Sequence, residues 1–126
     1  MPDRHAAGEK IRRRVLGDAH VDAALARSGD FDSAFQSLIT ESAWGSVWAR
    51  ETISLRERSM LTLALLAAGG NFDEIPMHIR ATANTGASPD DVMEALLHVA
   101  VYSGVPKANR AIKIARETYA EMGLDL

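Results

Sequence analysis

The chain has no cysteine in 126 residues. That absence excludes disulfides, thiolate metal sites and thiol catalysis together, and it fits a reducing compartment. Aromatic residues make up only 6% of the chain, so the few present mark either a core or a binding wall. No segment alternates apolar and polar residues with period two, which leaves no candidate strand. The longest apolar stretch, Met60 to Gly70, falls well short of the ~20 residues a membrane span needs. Met1 to Lys10 lacks the apolar region of a secretory leader, so a cytoplasmic protein away from membranes is expected. A net charge of −3 argues against nucleic acid as the main partner. There is no His-x-x-x-His or Glu-x-x-His pair of the kind that holds a metal in a helical bundle, and no metal site is expected.

What is present reads as an ordinary globule, with 47% apolar and 25% charged residues. The length fits one domain, residues 1–126. A chain of this size buries roughly two thirds of its unfolded surface, too little to enclose a deep site from one copy alone. Hydrophobic spacing gives an all-α chain of six to seven helices. Glu9 to Leu16 and Ala19 to Arg27 form short helices broken near Gly17, and Asp32 to Trp44 forms a third. Gly45 to Ile53 reads as a loop or broken turn carrying Trp48 and Arg50. Ser54, with Glu57 three residues on, has the capping-box pattern and opens a helix from Leu55 to about Ala68. That helix is apolar nearly all round, which implies burial on most sides. Asp73 to Thr85 is the next, with Pro76 in its first turn and Gly86 as its stop. Ser88-Pro89-Asp90-Asp91 is a strong helix start, and that helix runs to about Tyr102. Gly104-Val105-Pro106 breaks the chain before a last helix from Lys107 to Met122.

The candidate chemistry rests on four histidines and a few arginines and aromatics. His5 and His20 lie in short amphipathic pieces and read as exposed. Asp91, Glu94, His98 and Tyr102 share one helix edge and read as a solvated or subunit-facing stripe. His78 follows Glu74 by four residues, so both lie on one helix face. Arg58, Ser59 and Thr62 form a narrow polar stripe on the otherwise apolar Leu55 helix, and buried polar groups need partners. Two readings follow. Either the stripe and His78 line a pocket, or Glu74 and His78 are a surface ion pair and the stripe is bonded internally. Trp44, Trp48 and Tyr102 are equally read as pocket wall or as packing.

Several runs, in order, resemble the carboxymuconolactone decarboxylase family. They are Val15-Leu16-Gly17-x-Ala19-His20-Val21, Ala43-Trp44-Gly45-x-Val47-Trp48, Arg58-Ser59-Met60-Leu61-Thr62-Leu63-Ala64, Met77-His78-Ile79-Arg80-Ala81 with Asn84-x-Gly86, and Ala100-Val101-Tyr102-Ser103-Gly104-Val105-Pro106-x-Ala108-Asn109. The resemblance covers Gly8 to Tyr119 and implies an alkylhydroperoxidase-D-like helical bundle. Thiol-bearing members of that superfamily place a Glu and two Cys before a His. Counting back from His78, the matching positions include Ser59, Asn71 and Glu74. Only the histidine survives, so peroxide-reducing thiol chemistry is excluded.

The reaction the resemblance implies is loss of CO2 from 4-carboxymuconolactone, giving 3-oxoadipate enol-lactone, in aromatic catabolism by the protocatechuate (β-ketoadipate) route. No cofactor is implied, because the lactone carbonyl accepts the electron pair. Such a site needs a hold on the retained carboxylate, donors to the developing oxyanion and a proton source, for which histidine suits. The implied catalytic residues are His78 as acid and Glu74 as the residue fixing its tautomer. Arg58 and Arg80 are the candidates for the carboxylate. Ser59, Trp44, Trp48 and Tyr102 are the remaining substrate-binding candidates. Arg80 lies about 200° around the helix from His78 and suits a neighbouring subunit. The implied partners are a small lactone di-acid and further copies of the chain, a hexamer. A competing reading takes Ala100 to Val105 as the turn of a DNA-binding helix-turn-helix, with Arg12-Arg13-Arg14 on phosphate. Arg110 and Lys113 fall where that motif needs apolar residues.

Overall fold

The computed structural model describes residues 3–126. Met1 and Pro2, at the start of the segment read for a leader, lie outside the described residues. The described chain is all-α, with helices α1 (Arg4–Leu16), α2 (Asp18–Arg27), α3 (Ser33–Ile39), α4 (Leu55–Ala68), α5 (Ile75–Thr85), α6 (Pro89–Tyr102) and α7 (Val105–Glu121). A π-helical segment, Thr40–Trp48, continues α3, and a 3-10 turn, Phe72–Glu74, leads into α5. The chain clusters into two compact units, one ending at Ser54 and the other running Leu55–Leu126.

In the first unit, the Asp3 side chain caps α1 by accepting from the His5 and Ala6 amides at 2.9 and 3.2 Å. This satisfies two of the amides that a helix start leaves without partners. α1 packs along the π-helical segment, and their backbones nearly touch. A Cβ on Gly8 would lie 1.9 Å from the Thr40 carbonyl oxygen, and one on Gly45 would lie 2.3 Å from that of Arg4. Glycine is required there by lack of space, not by backbone angle. The π geometry replaces the loop expected from Gly45. Gly45 does not end the helix; the helix widens and carries on to Trp48. Hydroxyls bond back along this stretch, Thr40 to the Gln36 carbonyl at 2.7 Å and Ser46 to that of Glu41 at 3.2 Å. Trp44 and Trp48 are consequently buried together, ring centroids 5.1 Å apart.

The second unit is built on an aliphatic core. Leu63 and Ala67 of α4 meet Ile75 and Ile79 of α5, Leu96 and Val99 of α6 and Ala111 of α7. α4 spans the range expected from its pattern but is not buried on most sides within this chain. Leu61 and Leu65 are 54% and 71% exposed, because α5, α6 and α7 cover only its inner face. α6 starts at Pro89 behind the Ser88 cap as expected, and the cap is in addition a complete capping box with Asp91. Ser88 Oγ accepts from the Asp91 amide, and the Asp91 carboxylate accepts from the Ser88 amide. Arg56 of α4 grips both oxygens of the same carboxylate, which ties the first turns of α4 and α6 together. The chain does not stay broken to Lys107. α7 begins at Val105, since proline is tolerated in a first turn. Lys107 donates to the Ala68 carbonyl at the end of α4, 2.8 Å away, where a cation suits the negative helix end.

Candidate active site

α5 turns Ile75, His78, Ile79, Thr82 and Thr85 inward, a spacing of three and four residues that defines one helical face. His78 sits on this face at 7% exposure, bounded along the helix by two core isoleucines. It is therefore a buried side chain, not a surface one. Glu74 lies one turn earlier, in the 3-10 turn, and is exposed. It lines an open cleft with Asp73 and Arg110.

The polar stripe of α4 divides. Ser59 is wholly buried, and its hydroxyl shares a 2.7 Å hydrogen bond with that of Thr85. That bond joins the start of α4 to the end of α5, so the two helices run antiparallel. His78 precedes Thr85 by seven residues, about 10 Å along the helix at 1.5 Å per residue. The Ser59 hydroxyl is engaged by Thr85. Arg58, beside it, is half-buried. Arg80 is exposed and bound by Glu121 of α7.

The aromatic candidates separate. Trp44 and Trp48 belong to the first unit and pack against each other with their planes tilted by 35°. Tyr102 is 85% exposed on α6 and stacks on His98, centroids 6.2 Å apart and planes 8° from parallel. Glu94, Leu97 and Val101 line the same open surface hollow. Among the described residues, no three His, Asp or Glu side chains gather as a metal would require, and no helix is long and apolar enough to cross a membrane.

Two polar groups escaped the sequence reading. The Tyr119 phenol is buried in the core of the second unit, and burial pushes its pKa up. Arg12 is 6% exposed, although it reads in sequence as the first of three surface arginines. Its signal was present: Gly8, Arg12 and Val15 follow helical spacing on the inner face of α1. Arg13 is engaged by Glu9, Asp18 and Asp22. Only Arg14 of the triplet is left exposed, so no phosphate-binding stripe exists. Arg110 and Lys113 are likewise exposed, and the helix-turn-helix reading has no structural basis.

Residues 33–117 match the carboxymuconolactone decarboxylase family. A 4-carboxymuconolactone decarboxylase of Acinetobacter baylyi is 39% identical over 121 residues, which is 96% of this chain and 90% of that protein. A nitrosuccinic acid decarboxylase of Metarhizium robertsii is 38% identical over 115 residues, 91% of this chain and 80% of the fungal protein. A 4-carboxymuconolactone decarboxylase of Pseudomonas putida is 52% identical over 42 residues, 33% of this chain and 88% of that sequence. With the match running from α3 into α7, and two relatives aligned along nearly the whole chain, this protein belongs to the carboxymuconolactone decarboxylase family.

Proposed function

We propose that this decarboxylase, a carboxy-lyase, acts on 4-carboxymuconolactone and releases CO2 to give 3-oxoadipate enol-lactone. The observation that carries the reading is the near full-length likeness to a bacterial enzyme of that name. The chemistry asks little of the protein. As the ring carboxylate leaves, its electron pair spreads through the ring double bond onto the lactone carbonyl. A proton is then added to the carbon beside that carbonyl. We assign the proton to His78, whose burial keeps bulk water from competing for the dienolate. Glu74, one turn before it, is assigned to orient the ring. Arg58 takes the retained carboxylate, since a guanidinium fork holds two oxygens. Arg80 is the weaker choice because a substrate would have to displace Glu121. Because the substrate carries its own electron sink, the reaction requires no cofactor. Dialysis against a chelator is expected to leave activity intact, and a loss restored by one divalent ion would refute that part.

The decisive assay is incubation with freshly prepared 4-carboxymuconolactone, following its ultraviolet loss and identifying the enol-lactone. Nitrosuccinic acid, another di-acid with an electron-withdrawing group, is the comparison substrate because a relative is named for it. Turnover of nitrosuccinate alone would reassign the substrate, and turnover of neither would reject the proposal.

The proposal includes assembly into a homo-oligomer, a hexamer, acting in the cytoplasm, with both units serving one family domain. Leu61 and Leu65 on α4, and Leu97 and Val101 on α6, leave outward apolar rows at a spacing of four residues. Such rows are usual where copies meet. Light scattering coupled to size exclusion tests it; a monomeric mass at micromolar concentration would overturn it.

A further inference from the structure

The buried guanidinium of Arg12 lacks a counter-charge. Nη1 donates to Gln36 Oε1 at 3.2 Å and, more weakly, to Thr40 Oγ1 at 3.4 Å, both neutral acceptors. Nε is fully buried and meets no acceptor. The acids nearby are not bonded to it. Glu9 holds Arg13 at 3.3 Å, and Glu41 faces His5 at 3.9 Å. Burial and the adjacent Arg13 charge both push the Arg12 pKa down, as they do when no acid compensates the charge. A cation this far from water is normally paired, since leaving it alone is costly.

Arg12 also stands on the wall of a cavity of about 290 Å³ within the first unit, with Gln36, Thr40, Ser33 and Ser37 in the lining, and with His5 and the Arg13-bound Glu9 lining it too. Liquid water occupies about 30 Å³ per molecule, so the space suits a small organic acid. Gln36 and Thr40 hold Nη1 and so fix the plane of the guanidinium. Nε is closed off from the cavity, so a carboxylate there meets the guanidinium through its Nη atoms, whose N–H groups are the donors.

From this geometry we propose that the Arg12 cavity is a binding site for a small carboxylate, with Arg12 as its anchor and the serine hydroxyls as secondary donors. The site stands on its own geometry and does not depend on which substrate the enzyme decarboxylates. Its occupant is a free small acid, not a side chain of another copy.

The test measures binding directly. Succinate is titrated into the full-length protein by calorimetry, with inorganic phosphate and chloride as separate arms. In parallel, the Arg12 guanidinium N–H resonances are followed by NMR. Saturable succinate binding that shifts these resonances is expected, with phosphate and chloride weaker because they match the planar fork less well. Arg12→Gln should weaken binding at least about tenfold, the loss of one charged hydrogen bond, and Arg12→Lys should restore only part of it. No succinate binding at millimolar concentration overturns the proposal, and so does binding that leaves the guanidinium N–H resonances unmoved. If Arg12→Gln fails to fold, the resonance titration of the unmodified protein decides alone.

Discussion

The two units solve the packing problem in opposite ways. The unit ending at Ser54 brings backbone against backbone, with Gly8 against Thr40 and Gly45 against Arg4, and buries a charged arginine beside the contact. The Leu55–Leu126 unit keeps its helices apart with Leu, Ile and Val side chains, and its buried Ser59–Thr85 pair is matched hydroxyl to hydroxyl. Close backbone approach leaves little room for side chains, so the first unit gains less from apolar burial. Aliphatic packing is the cheaper source of stability, at about 25 cal/mol per Å² removed from water. The first unit also carries a cavity and a buried cation. The second supplies the rigid frame for His78.

The largest effect expected from this contrast falls on catalysis. His78→Gln should lower kcat by roughly 10²–10⁴-fold, the usual worth of a positioned proton donor, while the thermal midpoint moves little. A folded variant within a few fold of the parent enzyme would make His78 a packing residue and remove the chemical half of the comparison.

Next come the two packing modes themselves. Leu63→Ala should cost about 2–5 kcal/mol, because a cavity opens in a well-filled core. Gly8→Ala should cost about 3 kcal/mol or more, because the new methyl meets a carbonyl that cannot turn aside. Amide exchange separates them: Leu63→Ala should expose α4 to α7 first, and Gly8→Ala should expose α1 and the π-helical segment first. Equal loss of protection everywhere in both variants would mean one cooperative block and would break the distinction.

Smaller still is the start of α6. Ser88→Ala removes one half of a reciprocal cap and should cost about 0.5–2 kcal/mol, read from the denaturant midpoint. Asp91 accepts from Arg56 first and from the Ser88 amide next, and both hold its carboxyl below the ordinary carboxylate range. A depressed folded-state pKa means the unfolded chain takes up this proton first. The stabilisation is therefore complete above the ordinary Asp pKa of about 3.9 and is lost as pH falls below it. The gap between parent and Asp91→Asn should be flat near neutrality and should close in acid. A gap that widens as pH falls would contradict the assignment.

The sequence by itself determined the all-α class and the spans of α4 and α6, because helical spacing, capping residues and helix stops are local properties read along the chain. The carboxymuconolactone decarboxylase likeness was legible for the same reason, as short runs in fixed order. Tertiary structure alone decided what depended on a second element. It turned the Gly45 loop into a π-helix, because Gly45 is selected by the neighbouring backbone of Arg4. It left Leu61 and Leu65 exposed, since a pattern shows that a face is apolar but not whether this chain covers it. It gave Ser59 to Thr85, because which hydroxyls meet is set by the antiparallel register of α4 and α5. It also buried Arg12 among three consecutive arginines that look alike in sequence. Only the side of α1 that faces the π-helical segment distinguishes that charge from the two that follow it.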